Sequence, residues 1–402
     1  MSILKVDAIR HNSATSDAIT TSADGTCTAK LTSVGGSGLS HRNKVINGAM
    51  TVSQRNGTSA VQLSASEQYI VDRFKNDTGS SFDMKADASQ STDTPDGFQN
   101  SLKLVCDGVS TPTGGHNGGI SSFLEGRDVQ DFGFGTSSAK PITVSFYAKS
   151  AAQNANDTYS FMIAYSRNSD AIRTQQTRNF TVTASWQRFS FTFQPTGQAQ
   201  SEAIKNNTSN YGIQLFWSLA AGPDDLFSEV TTWTARSALT GITGQNNFFD
   251  ASGNEFYLTG VQLEVGDTAT SFEHRSFGEE LSRCQRYCYV IPYGGNSLNT
   301  RFIDNIYGDV KNSSEIQALV TFPVPMRNTP SYTGSSTDIE LFANNGSNYF
   351  TADGFSDYLT YGGENCQSMS LRKSGASSIS VGQSGKFLWR ATGGFMKFDA
   401  EL

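Results

Sequence analysis

Four histidines and 37 carboxylates are the residues through which this 402-residue chain could do acid–base or metal chemistry. His11, His41, His116 and His274 lie far apart, and none stands at a metal-ligand spacing from another. A structural zinc site needs Cys or His grouped at short spacing, so Cys284-x-x-x-Cys288 is half a site. With Cys27, Cys106 and Cys366 the cysteines number five, odd and scattered, and they read as free thiols buried like small apolar residues. The chain has no Gly-x-Ser-x-Gly elbow and no Gly-x-x-x-x-Gly-Lys loop. Gly133–Gly135 with Thr136 lacks a strand–turn–helix setting and reads as a turn, and Asp224-Asp225 reads as a polar loop. A carboxylate pair for glycoside hydrolysis would come from distant strands, and spacing along the chain does not reveal one. Calcium would need an oxygen cage, and no EF-hand spacing supplies it. We therefore expect no catalytic, cofactor-binding or metal residues, and a non-enzymatic protein.

Binding needs less than catalysis. A sugar is held by an aromatic face against its C–H face, with a few polar groups to orient it. The candidates are rings on the outward side of strands. Tyr147 is out of phase with Ile142, Val144, Phe146 and Ala148, and Phe216 is out of phase with Leu215 and Trp217. Both are expected to face outward as candidate glycan contacts. The structural alternative for each is cross-strand packing.

The elements that must carry such residues are strands. Aromatics make up 11% of the chain, 27 of them Phe, and charged residues only 17%. Phe, Tyr and Thr suit a pleated, half-buried surface, and the abundant Gly and Asn suit turns. From 45 to 275, period-2 alternation recurs in 141–149, 158–165, 189–193, 211–217 and 257–264, and Leu102 with Leu104 marks an earlier strand. Turn-rich breaks separate these runs, among them Gly114-Gly115-His116-Asn117-Gly118-Gly119. No helices of 10–15 residues lie between them, which excludes a doubly wound α/β sheet. The expectation is all-β: a jelly-roll β-sandwich over 45–275. No repeat of about 20–50 residues is evident, so a β-helix is disfavoured.

Ser276 and Glu279 form a capping box, followed by Leu281, Cys284 and Cys288 on one helical face. This predicts a short linker helix over 276–288. Strand patterns return at 318–325, 358–361, 378–381 and 395–398, predicting a second, smaller β domain over 289–402. Residues 1–44 are polar and small, too sparse in apolar residues to fold alone. They read as an extended N-terminal arm and Gly/Ser hinge, with Ile3-Leu4-Lys5-Val6 and Ile9 able to add strands to a partner.

The net charge of −7 and the lack of a Lys/Arg cluster argue against nucleic acid as a partner. No stretch approaches the ~20 apolar residues of a membrane span, so membrane insertion is not expected. The opening Met1-Ser2-Ile3-Leu4-Lys5-Val6-Asp7 lacks a signal-peptide core, which predicts synthesis and retention in a cytosol until assembly.

Three stretches carry more than composition. They are Asn47–Arg55 with Tyr69–Phe74; Gly260–Glu264 through Thr270–Arg275 to Glu280–Tyr287, with its Cys-Gln-Arg-Tyr core; and Thr321–Pro330. The closing Phe398-Asp399-Ala400-Glu401-Leu402 adds little to them. Together they resemble bacteriophage tail-fibre and related virion appendage proteins, in which a carbohydrate-binding-module-like jelly roll precedes a short helix and a C-terminal β domain. Cys288 stands where members of that group often carry an aromatic residue. The resemblance implies a homotrimeric structural protein of the virion, made in the host bacterial cytoplasm. It would be joined to tail or other virion proteins through residues 1–44, and would bind a host cell-surface glycan. Two other readings stay open from the residues: a capsid-surface fibre or tail connector without receptor binding, and a glycan-degrading enzyme.

Overall fold

In the strand Ile142–Ser150, the residues Ile142, Val144, Phe146 and Ala148 point into one core while Tyr147 and Lys149 reach the other side. The same alternation in Thr158–Ser166 and Ile213–Ala221 sends Tyr159, Phe161, Ile163, Tyr165, Leu215 and Trp217 inward. Two such one-sided sheets can bury their apolar faces only against each other. A computed structural model shows that arrangement. It describes residues 8–9, 19–21, 23, 27–29, 40–79, 81–167, 173–195, 203–204, 211–236, 241–292, 301–312, 314–334, 339–343, 349–352, 357–359, 363–374, 381–382, 384–389 and 395–402.

The first sheet has six antiparallel strands, in spatial order Gln187–Phe193, Ile142–Ser150, Glu255–Val265, Ser101–Cys106, Ala86–Ser91 and Val61–Leu63. The second has seven: Thr234–Ala235, Arg173–Thr181, Thr158–Ser166, Ile213–Ala221, Asn117–Leu124, Phe74–Gly79 and Tyr69–Val71. Consecutive strands 101–106, 117–124, 142–150 and 158–166 alternate between the sheets. The fold is a jelly-roll sandwich. Its centre is aromatic: Trp217, fully buried, has Phe161 at 5.2 Å, Phe146 at 5.5 Å and Phe74 at 6.2 Å between ring centroids. Each ring so buried contributes roughly 1.5–3 kcal/mol.

One expectation is corrected here. The glycine-rich stretch 114–119 is a turn only as far as His116; Asn117, Gly118 and Gly119 open the fully buried strand Asn117–Leu124. The glycines are needed for close approach, since a Cβ at Gly119 would collide with the Trp217 carbonyl and the Phe216 ring. The absence of a side chain that reads as a turn in sequence serves packing in the sheet.

Ser276 caps the helix Phe277–Gln285, its Oγ accepting from Glu279 N at 3.3 Å. The Glu279 carboxylate turns instead to Arg283, at 3.1 Å. Cys284 and Cys288 are fully buried free thiols. Beyond the helix, Cys288–Pro292, Phe395–Asp399 and Ser331–Gly334 form a three-stranded sheet. A seven-stranded sheet centred on Arg301–Asn312 and Glu315–Met326 completes the second β unit. That unit has its own core, which includes Val320, Phe322, Leu371, Phe387 and Phe398. The strand expected at 378–381 falls largely outside the described residues. In the first 44 residues, Ala8–Ile9, Ile19–Thr21 and Cys27–Ala29 pair as a small antiparallel sheet, while Ile3–Val6 lies outside the described residues.

The stretches that carry the resemblance converge at the junction of the two units. Asn47 donates its amide nitrogen to the carbonyls of Val52 and Asp72, at 2.8 and 2.7 Å, and its backbone N–H to Glu280 on the helix at 2.5 Å. Arg55 reaches Asp399 at 3.1 Å and Glu401 at 3.2 Å, and Arg73 pairs with Glu401 while lying 3.5 Å above the Tyr287 ring. Arg286 binds Glu125 through two hydrogen bonds, at 2.8 and 3.1 Å, and Tyr287 donates to the same carboxylate at 2.7 Å. Arg327 donates to the carbonyls of Ala400 and Glu401. Asp399 and Glu401, which added little as sequence, are the anions that hold Arg55 and Arg73. Burial opposes the charge on Arg55, but Glu401 above all offsets it and keeps the guanidinium protonated.

Candidate functional site

The outer face of the six-stranded sheet is built around a bulge. Between Ser145 and Tyr147 the register against Gln262 and Thr259 slips, and Gly260 occupies the extra position with φ +62°. A glycine bulge sharpens the local twist and re-aims the opposite side chain. A Cβ at Gly260 would lie 2.8 Å from both Tyr147 Cδ2 and Phe98 Cζ, so the missing side chain is the space those two rings fill.

Phe98 comes from the loop between Ser91 and Ser101, held by Thr259 Oγ1 donating to the Asn100 carbonyl at 2.8 Å. Phe272 and His274 come from the segment after Val265. Glu264 pins that segment by accepting from Thr270 N at 2.9 Å and Thr270 Oγ1 at 2.7 Å, and Gln262 accepts from Glu273 N at 2.8 Å. The four rings form one cluster: Phe98 lies 5.4 Å from Tyr147, 5.0 Å from Phe272 and 5.1 Å from His274. Tyr147, Phe98 and Phe272 are half-buried and His274 is exposed. Arg188, directly opposite Tyr147 in the next strand, is exposed with its guanidinium 5.9 Å from the Tyr147 ring centre.

A second aromatic group lies one outward position along the same strand, about 7 Å away at strand spacing. Lys149 sits 4.6 Å from the Tyr257 ring and 5.6 Å from that of Trp186. Asp93 ties this group together, pairing with Lys149 and accepting from Trp186 Nε1 at 3.1 Å. Its small burial penalty is outweighed by those two hydrogen bonds, which hold its carboxyl below the usual range. Lys103 pairs with Glu255 at 2.8 Å beside the same tyrosine. This face therefore offers two ring groups, each flanked by fixed polar groups on a rigid sheet.

The outward phase expected for Tyr147 and Phe216 is what the strands show, but the two residues meet different surroundings. Tyr147 lies in the ring platform. Phe216 is on the outer side of the seven-stranded sheet, fully buried against Met162 and Ala164, and offers no ring face to a ligand. The reason is a covering layer. Leu226–Phe227 and Gly241–Ile242 pair in parallel, and the latter lies against the strands 158–166, 173–181 and 213–221. Gln245 accepts from Ser160 Oγ at 2.7 Å, and Asn246 N donates to the Thr158 carbonyl at 2.7 Å. In the same sheet, Asp77 accepts from Ser121 Oγ at 2.6 Å and Gln214 Nε2 at 2.8 Å, and burial raises its carboxyl above the usual range. The two candidates are thus on opposite sheets and are not brought together.

Phe98, Phe272, His274, Trp186 and Arg188 were not legible as candidates. Phe98 and Phe272 sit in loops, where no period signals orientation, and Trp186 precedes its strand. Among the described residues no group of three or more His, Cys, Asp or Glu side chains converges as a metal ion would need.

No protein-family model matches the chain, and no curated protein matches it. Solved structures do. The enzymatically active domain of tailspike protein 4 of bacteriophage CBA120 aligns with 56% of this chain at 12% identity and a TM-score of 0.30. That alignment spans 21% of the tailspike chain. The family 11 carbohydrate-binding module of the Clostridium thermocellum cellulase Lic26A-Cel5E aligns over 52% of this chain and 98% of its own, at 17% identity and a TM-score of 0.26. The CBM22-1 xylan-binding domain of Paenibacillus barcinonensis Xyn10C aligns over 53% and 99%, at 12% identity and 0.27.

Proposed function

We propose that this chain is a non-enzymatic structural component of a bacteriophage particle, a trimeric tail fibre whose sandwich holds a host-surface glycan on the outer face of the six-stranded sheet. The observation that carries the binding part is the platform of Tyr147, Phe98, Phe272 and His274, partly open to solvent beside the exposed Arg188. Half-exposed rings on a braced sheet are already ordered, so little conformational entropy is lost when a pyranose stacks on them. Single contacts of this kind are weak, and three copies on one fibre multiply them through avidity.

The assignment to a phage appendage rests on the three stretches resembling that group. Within this chain, residues of those stretches such as Arg55, Arg73, Arg286 and Tyr287 lie at the junction of the sandwich, the helix and the second β unit. Residues 1–44 are the proposed attachment to other virion proteins.

Two measurements test this. Light scattering of the purified chain should give three times the 43.4 kDa chain mass, and a monomer at micromolar concentration removes the fibre reading. Bacterial surface polysaccharides should be retained by the chain, released by Tyr147→Ala and recovered at their original length. Shortened polysaccharide would instead make the protein an enzyme.

A further inference from the structure

Two guanidinium groups on this face meet at one residue. Arg188 Nη2 donates to Ser145 Oγ at 3.0 Å and to the Thr270 carbonyl. Arg42 Nη1 donates to Thr270 Oγ1 at 2.7 Å, and Nη2 to the Ser271 carbonyl at 3.4 Å. Among the described residues neither makes an ion pair, whereas the neighbouring Lys149, Lys103 and Arg275 each have a carboxylate. Arg42 Nε is buried with no acceptor. Arg188 keeps its Nε and Nη1 donors uncommitted among the described residues.

Two carboxylates beside this pair are otherwise engaged. Glu264 is fully buried and accepts from Gln262 Nε2 and from Thr270. Glu273 accepts from Asn43 N at 2.8 Å and stands 3.9 Å from Arg275. In a chain of net charge −7, two guanidinium groups meet at Thr270, where Glu264 reaches the threonine but, among the described residues, no carboxylate pairs directly with either of them. A guanidinium fork matches a carboxylate in geometry as well as charge.

We propose that the ligand of this face is an acidic glycan, a carboxylate-bearing sugar whose ring lies on Tyr147 and whose carboxylate is taken by Arg188 and Arg42 beside Thr270. The proposal rests on the glycan-binding reading above and names the class of sugar.

The test uses the full chain and a panel of uronate-containing bacterial polysaccharides, each paired with its carboxyl-reduced neutral form. Affinity should fall about tenfold or more on carboxyl reduction, the scale of a charge-assisted hydrogen bond. Arg188→Gln, at an exposed position, should narrow that difference to what Arg42 still supplies, whereas Tyr147→Ala should lower binding of both forms. Rising salt should narrow the gap. Equal binding of acidic and reduced forms would overturn the acidic class alone and leave the platform standing. Binding of neither form by the wild-type chain would overturn the platform reading and this inference with it.

Discussion

Arg73 and Glu401 stand 328 positions apart in the chain and form an ion pair with both side chains buried. Glu401 also receives Arg55 at 3.2 Å, so one carboxylate serves two guanidinium groups of the sandwich from the second β unit. Removing one partner of a buried pair leaves the other charge without compensation, at a cost of roughly 3–5 kcal/mol. Glu401→Gln should therefore lower the first thermal transition of the full chain markedly. Combining it with Arg73→Met should recover part of the loss, because the stranded charge is removed; strictly additive losses would show that the pair is uncoupled.

Glu125 links the sandwich to Arg286 and Tyr287. Burial alone would raise its carboxyl, but hydrogen bonds from Arg286 and Tyr287 and the charges of Arg286 and Arg127 outweigh that and hold it below the usual range. A depressed carboxylate adds stability that is present above its unfolded pKa, about 4.3, and is lost as the pH falls through the lower folded value. Denaturant unfolding of wild type and Glu125→Gln should thus differ most at neutral pH and converge as the pH falls below the ordinary glutamate value of about 4.3. A gap that widens on acidification would reverse the sign and exclude this role.

Gly260 is the position where backbone and platform meet. An alanine there takes a left-handed conformation that costs roughly 1–2 kcal/mol and drives its methyl into Phe98 and Tyr147. Gly260→Ala should lower both the melting temperature and glycan retention. Unchanged retention in a folded variant would separate the bulge from binding.

Tyr147 and Phe216 should give opposite results. Tyr147→Ala is expected to weaken glycan binding by up to about tenfold with a small stability change. Phe216→Ala, in a buried cluster, should cost roughly 3–5 kcal/mol of stability and leave binding intact at temperatures below its melt. Equal loss of binding in both would mean that the platform is misplaced.

The strand phases were legible because alternation in sequence is alternation in space. Ile142, Val144 and Phe146 had to share a face whatever they packed against, and the capping Ser276 had to start a helix. Asn117–Leu124 escaped because Gly118 and Gly119 mark a turn unless one knows that Trp217 crosses beside them. The loop rings Phe98 and Phe272 escaped because irregular backbone has no period from which to read a direction.

Local patterning alone therefore determined an all-β chain, those strands whose residues alternate, the short helix and which side of a strand Tyr147 and Phe216 occupy, since these follow from backbone geometry within a few residues. Tertiary structure alone decided which outward face stays open. The pair Leu226–Phe227 and Gly241–Ile242 closes one sheet over Phe216, while the Gly260 bulge and two loops assemble rings around Tyr147. It likewise decided that Glu401 would meet Arg73, because burial of a charge requires a partner, and that partner comes from wherever the folded chain passes.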